Sequence, residues 1–165
     1  MHPLFQRASS LTETIIGAAI EVHRDKGPGL IESIYEWRLL KELGIRGLAC
    51  VNQQSVLINY KGFTREESLR FNLLVERCVL LETKAVERIL PIHKAQLLSY
   101  MKLLDVPLGL LINFHEMKVT DGIARMILPG ANKRIEISEL SLNRSQHRKQ
   151  SCSSVLSVTS CSNAV

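Results

Sequence analysis

Aromatic side chains make up only 5% of this 165-residue chain, with a single tryptophan, so aliphatic residues must build the core. The same scarcity leaves no aromatic-rich strand to stack the bases of a nucleic acid. No apolar run reaches the roughly 18 residues that a membrane-spanning helix needs, and no membrane partner is expected. The opening segment, MHPLFQRASS, has no apolar stretch leading to a small-residue cleavage site, so no secretory signal is read there. Cysteine is sparse and unpatterned: Cys50, Cys78, Cys152 and Cys161 form no CxxC pair and have no histidines at zinc spacing. Reduced thiols and a cytoplasmic location are the expectation.

What is present suits one globular domain. The hydrophobic share is 45% and the charged share 22%, both ordinary for a folded protein, and the length supports a real core. The formal net charge of +5 suits nucleic acid held through a basic surface, although charge of this size argues about association and not about fold.

Ser10 and Glu13 carry a capping-box spacing, followed by apolar residues at Leu11, Ile15, Ala18 and Val22, which predicts a helix ending at Gly27-Pro28-Gly29. A second helix is predicted from about Leu30 to Leu43, carrying Ile34, Trp37 and Leu40. The period then changes. Residues 55–60 read as a strand with a turn at Lys61-Gly62, and residues 69–75 and 78–86 as a hairpin around Glu76-Arg77. Pro91 opens a third helix, with Leu97, Leu98, Met101 and Leu104 at helical spacing. Strands at 108–114 and about 118–128 follow. The order predicts an α/β (α+β) domain around one mixed sheet. Residues 1–10 are expected as an N-terminal arm and 11–140 as the domain. The serine-rich stretch 141–165 has too little apolar surface to offset the entropy of ordering, and is expected to be a disordered tail.

Chemistry enters at Glu82-Thr83-Lys84. Residues two apart on a strand share a face, so this carboxylate and ammonium point together from a strand that is otherwise nearly all apolar. Burying such a pair costs solvation unless it is paired or used, and an internal salt bridge is the plain alternative to a site. Asn72 lies on the partner strand of the hairpin. Glu32 and Tyr35 share one helix face, as do His93, Gln96 and Tyr100. Taken singly, these residues also read as surface groups or core edges.

Together they resemble a known family. Gly29-Leu30-Ile31-Glu32-Ser33-Ile34-Tyr35 has the Gly-x-x-Glu-x-x-Tyr pattern of the GxxExxY proteins, a branch of the PD-(D/E)XK nuclease-like proteins. Residues 16–23, Gly27-Pro28-Gly29-Leu30, Glu82-Thr83-Lys84-Ala85-Val86, His93–Tyr100, Leu108–Phe114 and Asp121-Gly122-Ile123 extend the likeness over roughly residues 11–128. The resemblance implies a restriction-endonuclease-like core, a mixed sheet of four or more strands flanked by helices. It implies Glu32, Glu82, Lys84 and Gln96 as catalytic residues, with Tyr35, His93 and Tyr100 in support. It further implies Mg²⁺ or Mn²⁺ held by Glu32 and Glu82. In the family's Arg-x-Asp-Leu-Leu-Val segment this chain reads Arg70-Phe71-Asn72-Leu73-Leu74-Val75. Asn72 offers one neutral carbonyl oxygen where the pattern has a carboxylate, hence a weaker metal ligand. The implied function is a metal-dependent nuclease, weakened or silenced at Asn72. The alternative is a non-catalytic module that binds nucleic acid or protein on the same fold.

One prediction follows from the tail. Deleting residues 141–165 is expected to leave the thermal midpoint within about 3 °C of the full chain. A large loss of cooperative unfolding in calorimetry would show instead that this segment packs on the domain.

Overall fold

Two adjacent strands, buried at nearly every position, organise the fold. The computed structural model describes residues 1–133; the predicted tail lies outside the described residues. In chain order the elements are α1 (Phe5–Lys26), α2 (Glu32–Ile45), β1 (Cys50–Tyr60), β2 (Phe63–Val75), β3 (Val79–Lys84), α3 (Pro91–Leu104), β4 (Leu108–Asn113), a short 3-10 turn (Val119–Gly122) and β5 (Ile123–Ile127). The five strands lie side by side in sequence order. Among the described strands only β3 and β4 are parallel, and α3 makes the crossover that a parallel pair requires. β4 is buried at every position. Such strands read as continuous apolar runs because both of their faces are covered.

The covering differs on the two faces. Ile15, Ala18 and Val22 of α1 and Tyr35, Leu39 and Leu43 of α2 pack with Leu73, Val75, Leu81, Leu110 and Ile112. On the opposite face Leu97 and Met101 of α3 pack with Phe71, Leu74, Leu80 and Leu111. Neighbours such as Leu80 and Leu81 thus enter different clusters, as period-two alternation demands. Each fully buried leucine contributes about 1.5–3 kcal/mol.

The β2–β3 hairpin sets the geometry of the site. Glu76 and Arg77 both have positive φ, and the Cys78 N–H donates to the Val75 carbonyl across them at 3.0 Å. The register pairs Leu73 with Leu81, which brings Asn72 opposite Glu82.

Several boundaries differ from those expected. α1 starts at Phe5, so most of the segment expected as an arm is helix. Ser10 caps nothing; its hydroxyl donates to the Arg7 carbonyl inside the helix. The chain start is held instead by the His2 N–H on the Ala131 carbonyl and by the His2 ring accepting from the Leu4 N–H. On α2 the buried stripe is Tyr35, Leu39 and Leu43, whereas Trp37 is 61% exposed. β1 and β2 start earlier than expected, at Cys50 and Phe63, because they continue as a ribbon of two strands.

The strand expected from 118 begins only at Ile123. Before it the chain turns tightly under the end of β4, and a side chain at Gly122 would meet the Asn113 carbonyl oxygen at 2.5 Å. That obstacle is backbone and cannot swing away. Gly122→Ala is therefore expected to cost about 1–3 kcal/mol, read as a lower denaturation midpoint at unchanged slope. No change would mean that this turn relaxes freely.

Candidate functional site

The last residues of β3 carry two charges into the seam between the helices. The side chains of Glu82 and Lys84 are only 8% and 13% exposed. Lys84 Nζ lies 2.6 Å from Glu82 Oε1 and 3.4 Å from Glu32 Oε1. Burial works against the Lys84 charge, but the hydrogen bond and charge of Glu82, together with Glu32, outweigh it and hold the ammonium pKa above its ordinary value. The pair is paired and hydrogen-bonded, as buried charges must be.

The Gly-x-x-Glu-x-x-Tyr segment explains how Glu32 arrives there. Gly29 has φ +107°, a conformation open to glycine, in the loop that ends α1. Tyr35, fully buried one turn into α2, reaches back with its hydroxyl. That hydroxyl donates to the Gly27 carbonyl at 2.6 Å and accepts from the Leu30 N–H at 3.2 Å. Its ring stacks on Phe114 with centroids 4.5 Å apart. Tyr35 thus ties the loop to the helix start and fixes where Glu32 emerges. It positions; it does not face the cleft.

Asn72 makes two bonds of opposite sense. Its Oδ1 accepts from the Thr83 N–H at 2.7 Å, and its Nδ2 donates to Glu36 Oε2 at 2.9 Å. An N–H needs an acceptor and a carboxylate needs a donor, so an amide satisfies both neighbours at once. Burial raises the Glu36 pKa, the Asn72 bond opposes that rise, and the charges of Glu32 and Glu82 add to it. Glu36, Asn72 and Glu82 share a cleft of about 350 Å³ with Arg70 of β2 and Gln96 of α3. Asn52 and Gln53 of β1 also line it.

Beyond Lys84 the chain is fixed by Asn113, which is completely buried at the end of β4. Its side chain donates to the Val86 carbonyl at 2.8 Å and accepts from the Val86 N–H at 3.1 Å. The Phe114 N–H donates to the Lys84 carbonyl at 2.7 Å.

The mixed sheet flanked by helices agrees with the family comparison. A model of the PD-(D/E)XK nuclease superfamily matches residues 9–126. The chain belongs to this superfamily. No curated protein matches the chain. Among solved structures it is similar to that of SSO0001, at 21% identity and a TM-score of 0.43, over 73% of this chain and 59% of that one. The chain therefore spans less than two thirds of that protein.

Superfamily nucleases generally use divalent metals, so the donor set can be compared with that need. Among the described residues no three Asp, Glu, His or Cys side chains gather where they would hold one ion. Glu82 is bound by Lys84, and the Asn72 oxygen expected as a ligand already accepts from Thr83 while its nitrogen faces Glu36. These residues do not fit a tightly held Mg²⁺ or Mn²⁺.

Of the residues singled out from the sequence, Glu82, Asn72 and Gln96 meet in the cleft, and Glu32 and Lys84 meet beside it. Three do not join them. Tyr35 is locked to the loop, the His93 ring accepts from the Leu90 N–H at the start of α3, and Tyr100 packs on the second apolar cluster. These three, expected in support, do not line the cleft, and Tyr35 acts on it only by holding the loop before Glu32. Glu36, Arg70 and Asn113 were not anticipated. Glu36 lies four residues after Glu32, one turn along the same helix face, and that spacing was the available signal.

Lys84→Met leaves Glu82 buried without its cation and is expected to cost roughly 3 kcal/mol. Adding Glu82→Leu removes the orphaned charge and is expected to restore most of that loss in chemical denaturation. Simple additivity of the two single losses would show that the pair is not coupled.

Proposed function

We propose that this chain is a GxxExxY-type member of the superfamily in which a nuclease centre persists as a phosphodiester-binding site, its hydrolytic activity silenced at Asn72. The observation that carries this reading is the pair of hydrogen bonds by which the Asn72 side chain donates to Glu36 and accepts from the Thr83 N–H. A carboxylate at position 72 would face Glu36 across a gap that only a cation or a proton bridges. The amide bridges it alone, so Glu36 has a hydrogen-bond donor without a metal. Arg70 and Gln96 supply donors in the cleft suited to a phosphate oxygen. The Gly29–Tyr35 segment supports the GxxExxY branch, and the net charge of +5 favours a polyanionic partner.

The test is a nuclease and binding assay on single- and double-stranded DNA and RNA, with Mg²⁺, Mn²⁺ or EDTA. The wild type is expected to bind with an affinity that falls steeply as salt rises, and to cleave none of these substrates above the EDTA blank. Asn72→Asp adds the missing carboxylate at almost no change in volume. It is expected to be slightly less stable without metal, to gain a melting shift with Mn²⁺ or Mg²⁺, and to acquire cleavage that Glu82→Gln removes again. Cleavage by the wild type in Mg²⁺ would overturn the silenced reading in favour of an active nuclease. An Asn72→Asp variant whose melting ignores metal would show that the site is not a lapsed metal centre.

A further inference from the structure

The sheet has two edges, and they are built differently. β5 is five residues long, follows a tight turn and carries Arg125, whose guanidinium donates to Ser9 of α1. Short length and inserted charge are the usual ways in which an edge is protected from other strands. β1 has neither protection. It runs eleven residues as CVNQQSVLINY, with no charged residue, no proline and no glycine. From Gln53 to Tyr60 it pairs only with β2, as a ribbon standing apart from the rest of the sheet. Among the described residues no main-chain hydrogen bond from another element reaches its outer side. Val51, Leu57 and Tyr60 are 48%, 63% and 66% exposed.

We propose that the outer edge of β1 is a dimerisation edge, pairing antiparallel with β1 of a second copy and joining the two sheets. Three observations select that occupant. An antiparallel strand edge is self-complementary under a two-fold axis, because each residue offers its partner the N–H and carbonyl that it receives. An axis at Ser55, the middle of the strand, sets Leu57 beside Gln53, within the stretch beyond the register shift at Val51/Gln53, and no like charges meet anywhere along the seam. A polyanion is not favoured there, because β1 brings no cation. The cations at the far end of the ribbon, Lys61 and Arg65, are offset by Glu66 and Glu67, with Arg65 and Glu67 paired at 2.7 Å. One strand pair is a small interface, so the association depends on concentration.

The experiment is sedimentation of the full chain over about 1 to 100 µM, in which the dimer fraction is expected to rise with concentration. Ser55→Lys with Leu57→Lys and Asn59→Lys places like charges across the two-fold axis and is expected to weaken dimerisation at least tenfold. The matching triple glutamate variant should do the same. All three positions are exposed, and circular dichroism melts verify that both variants fold. An equimolar mixture of the lysine and glutamate variants is expected to regain a one-to-one dimer. A wild type that stays monomeric throughout overturns the proposal, as when residues 134–165 of the same chain cover the edge. So does a dimer that the lysine variant leaves intact, which would place the contact elsewhere, for example at Trp37.

Discussion

The constraint on which the site depends is the pairing of Glu82 with Lys84 at the buried end of β3. Two charges removed from water cost several kcal/mol each, and their attraction offsets that cost only when the geometry is held tightly. The fold holds it from three directions. The parallel neighbour β4 fixes the strand itself, and Asn113 at its end secures the chain that leaves Lys84. Tyr35 fixes the turn from which Glu32 reaches the same ammonium. A looser arrangement would leave Lys84 facing burial with too little negative charge to sustain it. The two glutamates explain why its proton is held more firmly than usual in spite of that burial.

Charge balance also explains Asn72. The seam holds three carboxylates, Glu32, Glu36 and Glu82, and one ammonium. Glu32 and Glu82 share Lys84, which leaves Glu36 to be met by something else. The amide nitrogen of Asn72 meets it without adding charge, while the amide oxygen keeps the bond to the Thr83 backbone. An aspartate retains only the second of these bonds. Asparagine at this position therefore gives Glu36 a hydrogen-bond donor that aspartate lacks, and the strand pairing around it is left alone.

The sequence made the central layer readable and the seam less so. β3, β4 and α3 were clear because an apolar strand covered on both faces and a proline-started helix leave little choice of period. On α2 two apolar stripes compete, Ile34 with Trp37 and Tyr35 with Leu39 and Leu43, and helical spacing alone does not rank them. The decision lies in Tyr35, whose hydroxyl finds partners in Gly27 and Leu30 only when the ring is buried. Glu36 escaped notice because α2 carries several charges, and nothing local separates an acid facing Asn72 from one facing water. The ribbon was under-read because the residues missed, Cys50 to Gln54 and Phe63 to Ser68, are mostly polar and bury little. Its pairing is set by the Lys61-Gly62 turn, whose two positive φ angles match the twist of the strands.

The placement of the seam also separates fold from chemistry. The two apolar clusters lie on opposite faces of the sheet, and the polar residues occupy the end where β3 leaves it. Burial of Leu73, Leu80, Leu81, Leu108, Leu110 and Leu111 supplies stabilisation that does not pass through the cleft. A change at position 72 that preserves volume can alter the charge of the cleft while the core that positions it stays the same. The reverse does not hold. Loosening Tyr35 or Asn113 would move Glu32 or Lys84 and spoil the centre, although neither residue lines the cleft. The residues that hold this site in place are therefore as restricted as those that line the cleft, for a purely mechanical reason.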